Sequence, residues 1–359
     1  MEQASSTRVR YFVQSSSPMK PYTYFVGVDI SADFFTASIY HSNQTLVAEG
    51  KHFANSADGY NTCQQWLSTH GATTDNTVVC IEATGVYGEY FCYTFACYGF
   101  PVAVEPPLKV KRAFTQRTHK TDAVDSRQIA EYAFRFSDEL HLWKPKSEIL
   151  EQIHTLLTAR EHCVTQSAAT QTALQSLKRK YVQTPTAVTA FVNAVEQHKE
   201  NIAMIDAELK RLCQSDNSFH TMIALLQSIP GVGLLLAAHL LVLSEGFTRP
   251  LVARQIASYC GIAPLQHQSG TSVYRKPRSA GSGDPVLRKL LYLAALSIRT
   301  HHQQSKKYFL RKVDDGKPKR LVINNLSNKL LKIICAVATS KQAFIENYRS
   351  VNPVLLKSA

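Results

Sequence analysis

Four carboxylates stand out by their positions in the chain. Asp29 closes the apolar run YFVGVD, and Glu82 closes VVCIE just before Ala83-Thr84-Gly85 turns the chain. An acid placed where a buried strand ends is held on a rigid support and presented at the edge of its domain. Asp122 and Asp125 lie three residues apart in HKTDAVDSRQIAEYA, a helical stretch, so both face one side. Oxygen donors of this kind suit Mg²⁺, with Mn²⁺ as a substitute. Two such ions stabilise the entering and leaving oxygens of a phosphodiester under in-line attack. Lys109, Lys111, Arg112, Arg117 and Lys120, just upstream of Asp122, would offset phosphate charge. Taken singly, each acid fits a plainer role, Asp122 as a helix cap and Asp125 as a solvated surface residue. Their order, topology and spacing together point to phosphoryl chemistry.

A second group lies near the other end of the chain. Ser228-Ile-Pro-Gly-Val-Gly233 precedes a strongly apolar helix, and the backbone N–H groups at Gly231 and Gly233 are placed as a phosphate-binding turn would place them. A plain helix–helix turn explains the same residues equally well. Further on, GIAPLQHQSG leads into TSVYRKPRSAGSGDPVLRKLLYLAALS. Ser269 there sits beside a glycine in what reads as an irregular loop, with Arg275, Lys276, Arg278, Arg288 and Lys289 around it. Such cations hold a phosphate that a serine hydroxyl can attack. From chemistry alone an ordinary Ser-Gly turn is the better reading.

The elements that must position these groups follow from the apolar pattern. YFVGVDI, TASIYH and LVAEGKHF read as three successive strands, followed by a helix over 58–70 and the strand TVVCIEA. A helix over 87–98 closed by Gly99, the strand FPVAVEP, and helices over 108–114 and 122–136 complete an α/β domain with a mixed sheet. From Ser147 the strand signal disappears. Two long, charge-balanced helices with narrow apolar stripes follow, broken at Pro185, and suggest an antiparallel hairpin or coiled-coil arm. The last section is helical with one Gly/Ser/Pro-rich interruption over 261–285. The domains expected are a flexible Ser-rich arm (1–22), a catalytic domain (23–146), the helical arm (147–218) and a C-terminal domain (219–359).

Composition bounds the partners. With 45% hydrophobic and 19% charged residues the chain must fold around a core. Its net charge of +13 is concentrated: residues 230–359 hold 20 Lys and Arg against 5 Asp and Glu, while the rest is close to neutral. A segment so basic, spread over many elements, fits a nucleic acid better than a membrane surface. The longest apolar run, Leu234 to Leu243, is too short to span a bilayer, and the polar start lacks the core of a secretory signal. The eight cysteines show no metal-ligand spacing, and several sit inside apolar runs, as expected of reduced thiols in a cytoplasmic protein.

The runs YFVGVDIS, IEATGVYGEY and HKTDAVDSRQIAEYA resemble the DEDD transposases of insertion sequences, a group that includes pilin-type site-specific DNA invertases. SIPGVG, SYCGIAP, QSG and GDPVLRKLLYLAA resemble, in order, the second domain of the same family. The resemblance spans about 24–337 and implies a RuvC-like, ribonuclease-H fold first, then a long α-helical arm, then a mainly α-helical domain. It implies a tetrad of Asp29, Glu82, Asp122 and Asp125 holding Mg²⁺. It also implies a serine nucleophile that becomes joined to DNA, with Ser269 in that place by position and Ser272 and Ser279 as competitors. Asp284 stands where the family's GNP motif has Asn. The implied partners are donor and target duplex DNA, a structured guide (bridge) RNA, and further copies of the chain as a dimer or tetramer.

Three other readings make different demands. A metal-dependent junction resolvase would use the acids and water and need no serine. An actin-like kinase shares the topology and a VGVDIS-like strand, but should carry further Gly-rich nucleotide loops, and no P-loop is present. A non-catalytic nucleic-acid-binding protein would have no need of all four acids together with the serine.

Overall fold

The structure, a computed structural model, describes residues 22–83, 85–114, 121–269, 273–279 and 283–346, with only the backbone described over 265–269 and 273–278. The N-terminal arm up to residue 21, Thr84, Arg117, Lys120 and Ser272 lie outside the described residues. The chain divides into two compact units that meet in sequence at Pro145 and Lys146.

The first unit is built on a five-stranded sheet of β1 (Tyr24–Ile30), β2 (Phe34–His41), β3 (Leu46–Ala54), β4 (Thr77–Glu82) and β5 (Val102–Glu105). Their order is β3-β2-β1-β4-β5, with β1–β2 and β2–β3 antiparallel and β1–β4 and β4–β5 parallel. This is the mixed, ribonuclease-H-like sheet expected from the sequence. Strand alternation divides β1 between two cores. Val26, Val28 and Ile30 face α1 (Ala57–Thr69) and α2 (Glu89–Cys97), among Phe35, Tyr60, Leu67, Phe91 and Phe95. Phe25 faces the other way, with Val78, Cys80 and Ala103, toward α3 (Pro107–Ala113) and Ile129, Tyr132 and Ala133 of α4 (Asp122–Arg135). Tyr22, at the end of the expected arm, is buried with this second group and meets Phe25 edge to face.

Gly27 sets how closely α4 can lie on the sheet. A Cβ there would stand 2.1 Å from the backbone nitrogen of Ala130 and 2.2 Å from the carbonyl oxygen of Ser126. The same helix is tied down by a buried hydrogen bond of 2.8 Å between the Ser126 and Ser38 hydroxyls. Its direction follows from two contacts: Ser126, early in α4, lies over Gly27, and Phe134, late in α4, meets Phe25 at 5.5 Å. The helix therefore crosses β1, and its first turn lies over β3, where a Cβ at Gly50 would stand 2.6 Å from that of Ala123.

In the second unit, α5 (Glu148–Lys178) and α6 (Pro185–Ser215) form an antiparallel hairpin of two 31-residue helices. Pro185 occupies the first turn of α6, where its missing N–H costs nothing. Arg160 clamps the pair by donating to both carboxylate oxygens of Asp206, at 2.6 and 3.2 Å. The helices α7 (Asn217–Gln227), α8 (Leu234–Leu243), α9 (Ala253–Tyr259), α10 (Pro285–His301), α11 (Gln303–Asp314) and α12 (Lys319–Ser340) pack with the base of the hairpin around one core.

Two expectations need correcting here. The stretch over 261–285 is not an irregular loop throughout: β6 (Pro264–Ser269) and β7 (Val273–Ser279) pair as an antiparallel ribbon. The polar runs PLQHQS and VYRKPRS form its two strands. The 22-residue α12 is also long and apolar enough to cross a membrane by length and composition, a length that no unbroken apolar run reaches. Val322, Leu326, Leu330, Leu331 and Ile334 are buried in the core, and the polar residues that interrupt the run lie between them. All eight cysteines are unpaired, and six are buried. Burial pushes the Cys92 and Cys260 thiols up to about 12 and those of Cys213 and Cys335 up to about 11.

Gly27→Ala is expected to destabilise the first unit by about 3 kcal/mol, because the clash is with helix backbone that cannot rotate away. The fall in its unfolding midpoint in denaturant, relative to wild type, measures this. In native protein, a thiol reagent should modify Cys97 rapidly and leave the six buried cysteines unmodified until denaturant is added. Mass spectrometry of the labelled peptides reads the outcome directly.

Candidate active site

The sheet register brings the first two acids side by side. Val28 pairs with Ile81, so Asp29 and Glu82 leave their parallel strands at the same level. Alternation places Asp29 on the face of Gly27, and Glu82 on the face of Cys80, which is the face covered by α4. The same face is crossed by α4, whose first turn carries Asp122 and Asp125 and packs through Ala123 on Gly50 of β3. The Thr121 hydroxyl caps the helix by accepting from the Val124 N–H at 3.3 Å, so Asp122 begins the helix and does not cap it. Asp29, Glu82 and Asp125 are half-buried, and Asp122 is exposed.

Asp29, Glu82 and the helix that carries Asp122 and Asp125 thus share one face of the sheet. Among the described residues no three acidic, histidine or cysteine side chains converge on a single ion position. The donor set itself, carboxylate oxygens carried on two strand ends and one helix, suits a hard divalent cation.

Two residues that the sequence reading passed over brace this end of the sheet. Glu105 ends β5 in register with Glu82, and its own carbonyl accepts from the Ala83 N–H at 2.9 Å. Its carboxylate is fully buried, a costly position for a charge unless every oxygen is partnered. Lys109 donates to it at 3.0 Å and the Tyr132 hydroxyl at 3.3 Å, while the His141 N–H reaches the second oxygen at 3.2 Å. Burial and the neighbouring Glu105 charge push the Tyr132 phenol well above its ordinary range, so it stays a donor. Glu105 therefore locks α3, α4 and the chain after α4 to the strand beside Glu82. Asn55 does similar work on the other side. Its side-chain amide donates to the carbonyls of Ser31, at 3.0 Å, and Tyr87, at 3.2 Å, joining the segments that follow Asp29 and Glu82. Glu105 repeats the pattern of Asp29 and Glu82, an acid ending an apolar strand, and that pattern was the available signal.

The basic residues predicted to meet phosphate are placed unequally. Lys111 and Arg112 are exposed on the last turn of α3, whereas Lys109 is engaged by Glu105. In the second unit, Lys289 is held by Glu161 at 2.6 Å, and Arg288 donates to the Cys260 carbonyl at 2.7 Å. Arg275, Lys276 and Arg278 lie on β7. Ser269 is the last residue of β6 and pairs with Val273, so it stands at the closed end of the ribbon, and Ser279 is exposed at the other end. Asp284 caps α10 by accepting from the N–H groups of Val286 and Leu287, both at 2.9 Å. An asparagine there would accept the same bonds through the same oxygen.

Gly231 has a packing role. Its φ is +83°, and a Cβ would stand 2.8 Å from the Ala294 carbonyl oxygen of α10. Gly233, at the N-terminus of α8, has open space in front of it.

Glu105→Ala is expected to cost about 3 kcal/mol, since it leaves Lys109 and Tyr132 without their buried acceptor. Glu105→Gln keeps one acceptor oxygen but turns the other toward its partners as a donor and removes the charge facing Lys109, so it should also destabilise, by less than Glu105→Ala; thermal unfolding of the two variants compares them.

Comparison with known proteins follows the same two-part division. Residues 26–182 match a transposase family model of the DEDD type of IS110, and residues 223–310 match a model described as the transposase IS116/IS110/IS902 family. A pilin gene-inverting protein of Moraxella lacunata is 28% identical over 89% of this chain and 97% of its own length. A transposase for insertion sequence element IS1111A of Coxiella burnetii is 24% identical over 78% of this chain and 82% of its own. Among solved structures, T. thermophilus RuvC in complex with a Holliday junction substrate matches 34% of this chain at 12% identity, with a TM-score of 0.27. With a ribonuclease-H-like sheet in the first unit and both family models matched in order, the chain belongs to the IS110 family of DEDD transposases, enzymes that cut and transfer DNA strands.

Proposed function

We propose that this transposase cuts and rejoins DNA through a covalent 5′-phosphoserine intermediate, with Ser269 as the nucleophile and a guide RNA choosing the sites. The observation that carries the reading is that Asp29 and Glu82 stand level on parallel strands, on the sheet face covered by the helix bearing Asp122 and Asp125. These four residues would hold Mg²⁺, which supplies charge stabilisation to the oxygens around phosphorus when bound.

The residues of the chain do the rest. Lys111 and Arg112 present exposed charge to the phosphate backbone. The Ser269 oxygen attacks phosphorus and loses its proton, the bond from phosphorus to the 3′ oxygen breaks, and that oxygen leaves protonated as a 3′-hydroxyl. One phosphodiester is exchanged for another, so the reverse attack by a 3′-hydroxyl rejoins strands without another energy source. The family's divalent-metal habit supports the acid assignment, and the basic last third of the chain supports a polyanionic partner. Backbone charge without an obvious base-reading module suits a division of labour in which RNA pairing reads sequence. Joining two DNAs calls for at least two copies of the chain.

Recovery of the protein under denaturing conditions from cells carrying the intact element tests this. DNA attached by a 5′ end is expected for the wild type and should be absent for Ser269→Ala and for Asp29→Ala. An adduct that survives Ser269→Ala moves the nucleophile to Ser272 or Ser279. Absence of any adduct, with Mg²⁺-dependent nicking intact, replaces the proposal with a resolvase that uses water.

A further inference from the structure

A cluster of cations lies on the helices α11 and α12, apart from the residues assigned above. Between Gln303 and Lys332 the sequence carries nine Lys and Arg against two Asp. Lys312 is neutralised by Asp315 at 2.7 Å. Among the described residues, no carboxylate pairs with Arg311, Lys329 or Lys332, and all three are exposed. What organises them is the half-buried ring of Tyr308 on α11. The Lys329 ammonium, reaching over from α12, stands 3.6 Å from the ring centroid, and the Arg311 guanidinium stands 5.9 Å from it. A ring face attracts one cation; here it holds two in the same neighbourhood, where they repel each other.

The cost of that arrangement shows in Lys329, whose pKa is lowered by partial desolvation of its ammonium and then by the charges of Arg311, Lys312 and Lys332. Nothing in the core requires these charges, because the buried face of α12 is complete without them. A fold that keeps exposed like charges together, and fixes two of them on a ring, has a standing electrostatic cost that a polyanion would relieve. Holding Lys329 on Tyr308 also leaves less side-chain freedom to lose when an anion arrives.

We infer that Arg311, Lys329 and Lys332, arranged around Tyr308 on α11 and α12, form a binding site for the phosphate backbone of a nucleic acid. The inference rests on the reading of this chain as a nucleic-acid enzyme and adds to it a contact surface. Arg311, Lys329 and Lys332 all lie beyond residue 310, where the second family match ends. The site's ligand is the phosphodiester chain itself, which DNA and RNA share.

The test uses the full chain, a duplex DNA and a structured stem-loop RNA, with affinity measured by fluorescence anisotropy across a range of salt. Arg311→Gln combined with Lys329→Met removes two charges while Met keeps an apolar stem on the ring. Lys178→Gln with Lys180→Gln removes the same charge from the far end of the α5–α6 hairpin. The α11–α12 double variant is expected to weaken binding about tenfold or more at moderate salt and to flatten the slope of log K against log salt by about 1.8 for duplex DNA. Lys332→Gln, which touches no ring, should flatten it by about 0.9. Loss confined to the RNA or to the DNA assigns the site to that strand and supports the inference. Equal losses in the two double variants would reduce it to an effect of net charge and overturn it, as would wild-type affinity and slope in the α11–α12 variant. Wild-type protein that binds neither probe overturns the functional reading as well, and so separates the two failures.

Discussion

The first unit depends on one contact, the seating of α4 on β1 at Gly27. A helix normally rides on a sheet at the distance its side chains impose, but here helix backbone sits where a Cβ would be. That closeness carries the Ser126–Ser38 hydrogen bond, brings Phe134 onto Phe25 and sets the height of the helix over the sheet. Asp122 and Asp125 therefore owe their position to a glycine two residues before Asp29. Side chains on α4 and on β1 need a fixed relation, and the missing Cβ removes the flexible layer that would blur it. The second unit uses a related device, with Gly231 letting the α7–α8 turn close onto the backbone of α10.

Around that contact, buried polar groups do more than fill space. Glu105 ends its strand as a fully buried carboxylate. Its partners come from α3, from α4 and from the chain that follows, so a single side chain couples three segments to one strand end. Hydrophobic contacts tolerate sliding by fractions of an ångström, whereas a charged acceptor with three directed donors does not. Asn55 applies the same logic to the two strand-end turns. Precision at the strand ends thus comes from directed polar bonds laid over a nonspecific apolar core.

Much of this was legible in the sequence where periodicity and position coincide. The strands ending in Asp29 and Glu82 are apolar runs closed by an acid, and the spacing of Asp122 and Asp125 fixes their shared face on a helix. The mixed sheet followed from three strands before any helix. The ribbon holding Ser269 was harder to read, because its strands are polar and basic and their sequence carries no alternation of apolar residues. Glu105 was hidden for the opposite reason: a lone acid at a strand end looks the same whether it faces solvent or is buried, and only the approach of Lys109, Tyr132 and His141 decides. The engagement of Lys289 by Glu161 was equally out of reach, since 128 positions separate the two. The membrane-length α12 shows that a core helix can hide among interrupting polar residues when hydropathy is judged by unbroken runs alone.

The α5–α6 hairpin has a mechanical consequence. Thirty-one residues make a helix about 46 Å long, more than one full turn of B-form DNA. On α5 the buried positions are Leu150, Ile153, Leu157 and Ser167, all in the first two-thirds, and Tyr181 and Val182 at the far turn are exposed. The hairpin is anchored at one end and acts as a lever over the rest of its length. A tilt of only about 5° at the anchored end displaces the far turn by about 4 Å, on the scale of a base-pair step. Small changes in packing around Leu150 and Ile153 are therefore amplified at the far turn.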